Sequence, residues 1–415
     1  MNTRKYDIIS FHPGRQHNLE QAQQISKKFV SYRHLTSLYF SSTQVKYWQK
    51  ISSKLGSILR KRSGTLSTKI VDSNPWPEMK LLLRKGLGER LWYDAYIGRN
   101  DSFQKWILGN YTPPKICIGF DTCSWKIFEK WKNKSFLVLD LSIAIPQYKL
   151  TLAKQCHFSK EALHKLTNDD KAVYEIYKKE IQLADLILCG SEFVKRSCIS
   201  EGINPAKLVV LPYGIDLNKF SNPHIQPETE RLRVVFIGAV TFRKGADIVL
   251  QSWKKIKEIF PLAELHFYGK VEMDITEQHE GVFFHGFIPQ ETLIEELRQS
   301  HISVLPSFFE GSSLAIYQSM AMGLSIITTI NTGSIIENNR NGFIINYGSE
   351  KELTVKLELL LRDNNLRQRL ASNAVKDVHE YSWDNYGKKL GDMLENILND
   401  HTKRHDINEI AYSKN

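Results

Sequence analysis

Residues 303–329 read SVLPSFFEGSSLAIYQSMAMGLSIITT. Ser303-Val304-Leu305 is a short apolar strand, and Pro306 and Ser307 end it. Glu310-Gly311-Ser312-Ser313 makes a turn, a helix follows through Met322, Gly323 stops it, and a second buried strand runs from Ser325 to Thr329. Such a β-turn-α-β unit aims free backbone N–H groups and positive dipole charge out of the helix start, a ready site for an anion. Gly311 admits a close approach to the backbone. Ser312 or Ser313 is a natural N-cap. Glu310 stands where it can accept hydrogen bonds from ligand hydroxyls. An ordinary capped helix in an α/β domain has the same pattern, so the neighbouring sequence has to decide.

Working outward, the rhythm repeats. On the N-terminal side, Arg233 to Gly238 is a strand, Ala239 to Gly245 a loop and Ala246 to Phe260 a helix. Strands at Glu264–Gly269 and 282–284 and a helix at 290–300 lead into the central unit. After it come the loop at Gly333, the turn Asn341-Gly342, a strand at 343–345, and helices at 349–362, 364–380 and 382–400. The first half shows the same alternation. Tyr6 to Phe11 is a strand, His12-Pro13-Gly14-Arg15-Gln16-His17 a loop, and about 19–30 a helix. Further strands fall at 115–119, 136–140, 184–190 and 207–211. Strands alternating with helices in both halves predict two doubly wound parallel sheets with a ligand cleft between them. The expected boundaries are 1–218 for the first domain, 219–230 for a polar linker and 231–381 for the second domain. A helix at 382–400 is expected to cross back to the first domain, ahead of a frayed polar tail at 401–415. Residues 40–110 read only as partly helical and basic, with turns near Gly64, Pro75-Trp76-Pro77 and Pro113-Pro114.

Composition sets the outer limits. The 415 residues, 42% hydrophobic and 24% charged, describe a globular protein with apolar mass for two cores. Five cysteines, with no C-x-x-C pair or zinc spacing, fit free thiols in a reducing compartment. The N-terminus is too short and polar for a secretory signal, and no apolar run is long enough to span a bilayer. The expected location is the cytoplasm, with a peripheral place on the inner face of the membrane. Net charge is +11 and uneven: from Gln21 to Val71 there is no Asp or Glu, but there are Lys27, Lys28, Arg33, Lys46, Lys50, Lys54, Arg60, Lys61, Arg62 and Lys69. A basic face with interleaved aromatics suits an anionic membrane surface first, a merely solvated face second, and nucleic acid last, since no nucleic-acid motif accompanies it.

Three features of the second half converge. Gly238-Ala239-Val240-Thr241-Phe242-Arg243-Lys244-Gly245 follows a strand and opens a helix, with two adjacent cations suited to a diphosphate. The Glu310 turn is the second feature, and Gly333 in Thr332-Gly333-Ser334 the third. With ADLILCGSEFVKRS at 184–197, PYGID at 212–216, HGFIPQETL at 285–293 and NNRNGFI at 338–344, the chain resembles the retaining glycosyltransferases of family 4. Those enzymes have the GT-B architecture, two Rossmann-like domains facing across a cleft.

The resemblance implies roles. A nucleoside-diphosphate sugar, acting as co-substrate with no cofactor and no metal, lies in the second domain. Arg243 and Lys244 bind its diphosphate, and Glu310 holds hydroxyls of the donor sugar. The backbone at Gly238, Gly311, Ser312 and Ser313 lines sugar and phosphate. Gly14 belongs to the loop that closes over the diphosphate. Asp140 matches loosely a polar active-site group facing the acceptor, which the resemblance makes a saccharide or lipid-linked hydroxyl in surface polysaccharide or lipopolysaccharide synthesis. Configuration is retained, and the departing phosphate oxygen is one place for the proton.

Two departures stand out. The family pattern is a Glu, seven residues, then a second Glu that binds the nucleotide ribose; here that position is Gln318. An amide keeps one carbonyl acceptor but loses charge-assisted strength, about 1–2 kcal/mol. Ala239 stands where many members have Arg, and Arg243 beside Lys244 supplies that charge. Gln318 keeps open a catalytically weak or silent sugar-nucleotide-binding protein of the same fold. A nucleotide-sugar epimerase is a further alternative, without its acid-rich pattern here.

Overall fold

The computed structural model describes residues 4–52, 59, 62–64, 66–83, 89–153, 171–221, 229, 231–275, 277 and 279–412. Most of the expected linker and the cations Lys54, Arg60 and Lys61 lie outside the described residues.

The first half carries β1 (Ile8–Phe11), β2 (Tyr32–Thr36), β3 (Phe40–Ser41), β4 (Ser63–Gly64), β5 (Val71–Ser73), β6 (Ile116–Phe120), β7 (Phe136–Leu141), β8 (Leu186–Cys189) and β9 (Leu208–Val210). Seven of these form one sheet in the order β5-β2-β1-β6-β7-β8-β9, and β3 pairs with β4 apart from it. The second half carries β10 (Arg233–Ile237), β11 (Glu264–Tyr268), β12 (Val282–Phe284), β13 (Ile302–Leu305), β14 (Ser325–Thr329) and β15 (Phe343–Ile345). They form a six-stranded sheet, β12-β11-β10-β13-β14-β15. The pairings in both sheets are parallel, as helical crossovers require.

Strand order decides where a ligand can go. From β10 the chain winds outward to β11 and β12, then returns to the other side of β10 as β13. The loops after β10 and β13 therefore leave the sheet in opposite directions and open a crevice at their carboxyl ends. β1, between β2 and β6, is the matching switch point of the first sheet.

The strands are apolar because both faces are covered. β10, β13 and β14 are buried throughout apart from Arg233 at the start of β10, and Trp253 and Leu357 pack into the same core from the flanking helices. The last helix, Trp383–Tyr412, packs against helix Asn18–Lys28. Its Tyr386, Leu390 and Leu394 are buried with Ile8, Leu19 and Ile25 of the first half. Among the described residues no helix is long and apolar enough to cross a membrane.

Several expectations need correction. The final helix does not stop at residue 400: no Gly or Pro interrupts the following residues, and the helix continues to Tyr412. β2 and β5 went unread, because YRHLT carries polar residues on a buried strand and VDS is short. Gly64, read as a turn, pairs with Ser41 in β4. The basic window is not one free face either. Lys27 pairs with Asp384 at 2.7 Å, and Lys28 with Asp392 and Glu395 at 2.7 and 2.8 Å. Arg62 pairs with Glu78, and Arg33 lies over the Tyr6 ring.

Candidate active site

The Glu310 turn sits at the crevice beside β10 and is held from several sides. Phe308 N–H donates to Arg243 O at 2.8 Å, tying it to the loop after β10. Asn331 Nδ2 donates to Phe308 O at 3.1 Å. Phe308 and Phe309 leave their own domain's core and bury themselves in the core of the first domain, where Phe309 meets Phe193 edge-on with ring centroids 5.9 Å apart. An apolar pair followed at once by an acid thus anchors the acid at the seam between domains.

The structure brings Arg243, Lys244 and Glu310 together. Glu310 Oε1 lies 2.7 Å from Arg243 Nη1 and 2.6 Å from Lys244 Nζ. Arg243 also donates to Phe309 O at 2.7 Å. Burial pushes the Glu310 carboxyl up, but the two cations outweigh it and hold the group below the ordinary glutamate value. Both cations come from one tight 3-10 turn, Phe242–Lys244, which Thr241 caps through its hydroxyl at 3.3 Å from Lys244 N–H. Gly238 lies against the Lys244 side chain; a β-carbon there would stand 3.1 Å from Lys244 Cδ. Oε2 of Glu310 makes no hydrogen bond or ion pair among the described residues.

Gly311 shows why the turn needs a glycine. A β-carbon there would come 1.9 Å from Ser142 O, in the other domain. Ala144 N–H donates to Glu310 O at 3.3 Å, and Ser191 Oγ donates to Gly311 O. Gly333 backs onto the same carbonyl. Ser312 faces Gly190 across the seam. Ser313 occupies the N-cap of helix Leu314–Ala321 and makes no side-chain capping bond there.

One turn and a half later the seam opens. Gln318 lines a cavity of about 890 Å³ with Leu314 from its own helix and Arg15, His17 and Glu20 from the first domain. Gly214 to Phe220 and Ser382 to Asp384 also line it. Among the described residues nothing hydrogen-bonds to the Gln318 side chain.

In the first domain, the loop after β1 brings His12 Nδ1 within 3.1 Å of Gly14 N. Burial lowers His12 to about 3. Asp140, near the end of β7, is buried. Its Oδ2 lies 2.7 Å from Gln21 Nε2 and 3.1 Å from His17 Nε2. The His17–Asp140 pairing spans 123 positions and left no signal in sequence beyond a carboxylate at a strand's C-terminal end. The contacts that Ser142, Ser191 and Tyr213 make at the first domain's side of the seam carry no signal in the sequence, although Ser191 and Tyr213 fall within motifs quoted above.

Residues 219–377 match the family model described as glycosyl transferases group 1. Over its length the chain is similar to the sucrose-phosphate synthase of Thermosynechococcus elongatus, with a TM-score of 0.65, 13% identity, 95% of this chain covered and 99% of that one. The fold is GT-B. A second neighbour, Anabaena HepE in complex with UDP and glucose, superposes with a TM-score of 0.60 at 13% identity, covering 94% of this chain and 99% of that one. In sequence, the chain is similar to the capsular polysaccharide biosynthesis glycosyltransferase CapM of Staphylococcus aureus, 24% identical over 54% of this chain and 65% of that protein. Matches to other curated relatives span about half their length, 52% and 45%. The matched region of the family model holds Arg243, Lys244, Glu310 and Gln318, and leaves the first domain outside it.

Proposed function

We propose that this chain is a retaining glycosyltransferase. It moves a sugar from a nucleoside-diphosphate donor to a hydroxyl of a saccharide or lipid-linked acceptor in surface polysaccharide synthesis. The observation that carries the reading is the triad of Arg243, Lys244 and Glu310 at the crevice beside β10, with helix Leu314–Ala321 starting next to it. The group 1 match and the UDP and glucose complex of a GT-B neighbour support the same donor class.

In this reading each group has a task. Negative charge builds on the β-phosphate as the anomeric C–O bond breaks. Lys244 has three donor hydrogens and Arg243 five, so both can take a phosphate oxygen while keeping Glu310. Their charges, preorganised by the carboxylate, stabilise the leaving group most in the transition state. Glu310 Oε2 remains to accept donor-sugar hydroxyls. The reaction in this reading needs neither a metal nor a cofactor, because the two cations and the helix terminus carry the electrostatic load.

The membrane reading narrows to one helix. In Ser42–Ile51, Tyr47, Trp48 and Ile51 are exposed beside Lys46 and Lys50. Apolar side chains among cations suit the headgroup region of an anionic bilayer. Liposome pelleting is expected to show binding that rises with anionic lipid and falls with salt; binding indifferent to both overturns this part.

Gln318 favours a second reading, a sugar-nucleotide-binding protein without turnover. Incubation with a panel of sugar nucleotides, with and without membrane extract, separates the two. Mass spectrometry is expected to detect a released nucleoside diphosphate and a glycosylated product. Nucleotide binding with no release from any donor selects the silent protein.

A further inference from the structure

One hydroxyl of the first domain reaches the turn that carries Glu310. Ser191 follows β8 and is the N-cap of helix Glu192–Ser200. Its Oγ accepts a hydrogen bond from Val194 N–H at 3.3 Å and lies 2.5 Å from Gly311 O. A carbonyl oxygen only accepts, so the hydroxyl hydrogen goes to Gly311 and a lone pair to the helix. Ser191 is buried, which shields both bonds from water. Gly333 leaves the space for this contact. A β-carbon there would stand 2.6 Å from Ser191 Oγ and 2.0 Å from Gly311 O.

The preceding carbonyl, Glu310 O, accepts from Ala144 N–H at 3.3 Å. Two successive carbonyls of the turn are thus held by the first domain. No peptide bond among the described residues is cis, and in a trans peptide the N–H points opposite to its C=O. Gly311 N–H is therefore turned away from Ala144, and Ser312 N–H away from Ser191. Neither N–H has a hydrogen-bond partner among the described residues. Both follow directly on Glu310, whose carboxylate binds Arg243 and Lys244, and both precede helix Leu314–Ala321. Unclaimed amide hydrogens beside two cations suit a diphosphate. Glycine at 311 leaves the next peptide plane wide rotational freedom, so the Ser191 hydroxyl is what fixes its direction.

We propose that Ser191 is a positioning residue for the donor site: by holding Gly311 O it turns Ser312 N–H toward the donor's diphosphate. The proposal rests on the glycosyltransferase reading above. It makes a hydroxyl of the first domain part of the second domain's donor site. Ser191 acts through the Gly311–Ser312 peptide and touches neither substrate. The donor site is then complete only while the two domains are docked at this seam.

Three substitutions separate the two bonds of the hydroxyl. Ser191→Thr keeps the helix cap and the donor, Ser191→Asp keeps the cap without a hydrogen to donate, and Ser191→Ala keeps neither. For each, calorimetry reads UDP and GDP affinity, an assay reads transfer from the donor that the panel identifies, and melting curves read stability. Ser191→Asp and Ser191→Ala are expected to lose about tenfold in transfer and about fivefold in nucleotide affinity, whereas Ser191→Thr stays within about threefold of wild type in both. The melting temperature is expected to fall in Ser191→Ala alone, for the lost cap; a loss of transfer that Ser191→Asp shares is then not a loss of stability. Full transfer and full nucleotide affinity in Ser191→Asp overturn the proposal, and so does a Ser191→Thr as impaired as Ser191→Ala. Transfer lost at unchanged nucleotide affinity overturns it as well, because Ser191 then serves the acceptor. If Ser191→Ala does not fold, the Thr and Asp variants decide alone. A wild type that binds nucleotide without turnover sinks the glycosyltransferase reading, and the affinities of the variants still decide this proposal; a wild type that binds no nucleotide sinks both.

Discussion

Two stretches of one segment face the first domain in opposite ways. At Gly311 the domains touch backbone to backbone, with no space for a methyl group. At Gln318, on the helix that this turn starts, they stand apart around about 890 Å³. The closed stretch fixes Glu310 and its cations by several independent contacts. The open stretch holds polar groups with unused hydrogen-bonding capacity. A transferase needs both: preorganised charge where the leaving group departs, and room where two substrates enter.

The comparison can be broken most severely at its closed end. Replacing Glu310 with Ala removes the carboxylate and leaves two neighbouring cations unpaired. Transfer is expected to drop about a hundredfold to a thousandfold, read as kcat/KM with the identified donor. Undiminished transfer would show that the closed stretch is only a clasp.

Acid probes the buried imidazoles of the first domain. Burial holds His12 and His34 neutral down to about 3, whereas the unfolded chain takes up protons near 6.5. The unfolded state binds the extra protons, so stability is full above about 6.5 and is lost as pH falls toward 3. The loss is on the order of 1–2 kcal/mol for each imidazole between about pH 7 and about pH 5. Denaturant midpoints across that range check it, and His34→Gln is expected to flatten the slope.

Gly311→Ala asks whether the seam is as tight as it looks. Its β-carbon must push against Ser142 O, with an expected cost of about 1–3 kcal/mol in unfolding free energy. A variant as stable as wild type would mean that the seam separates freely in solution. The smallest change restores the missing acid: Gln318→Glu is expected to tighten nucleoside-diphosphate binding by about 1 kcal/mol, read by calorimetry. No change would place the ribose elsewhere in the cavity.

The stretch at 303–329 disclosed its strands and helix because each apolar run is bounded by Pro, Gly or Ser, and those breakers act locally. The meeting of Glu310, Arg243 and Lys244 was legible because each lies in a loop that follows a strand's carboxyl end, and parallel sheets gather such loops. What stayed hidden depends on distance in the chain. Phe308 and Phe309 belong to the other domain's core, a placement that no local pattern carries. His17 and Asp140 meet only because β1 and β7 flank β6. The charge-rich window misled for the same reason. Lys27 and Lys28 looked unpaired until the helix beginning at Trp383 supplied their carboxylates.

That helix has a consequence for how the molecule is made. The first domain's apolar layer at Leu19, Ala22 and Ile25 is covered by Tyr386, Leu390 and Leu394, residues that the ribosome delivers after the whole second domain. Ile215 and Ser382 lie side by side as the chain leaves the first domain and returns to it, so the second domain is a closed loop of chain between two adjacent threads. During synthesis the earlier domain must wait, with that layer uncovered, for the later one to be finished. A nascent chain released before residue 383 would expose the layer to chaperones, and completion of the last helix would mask it.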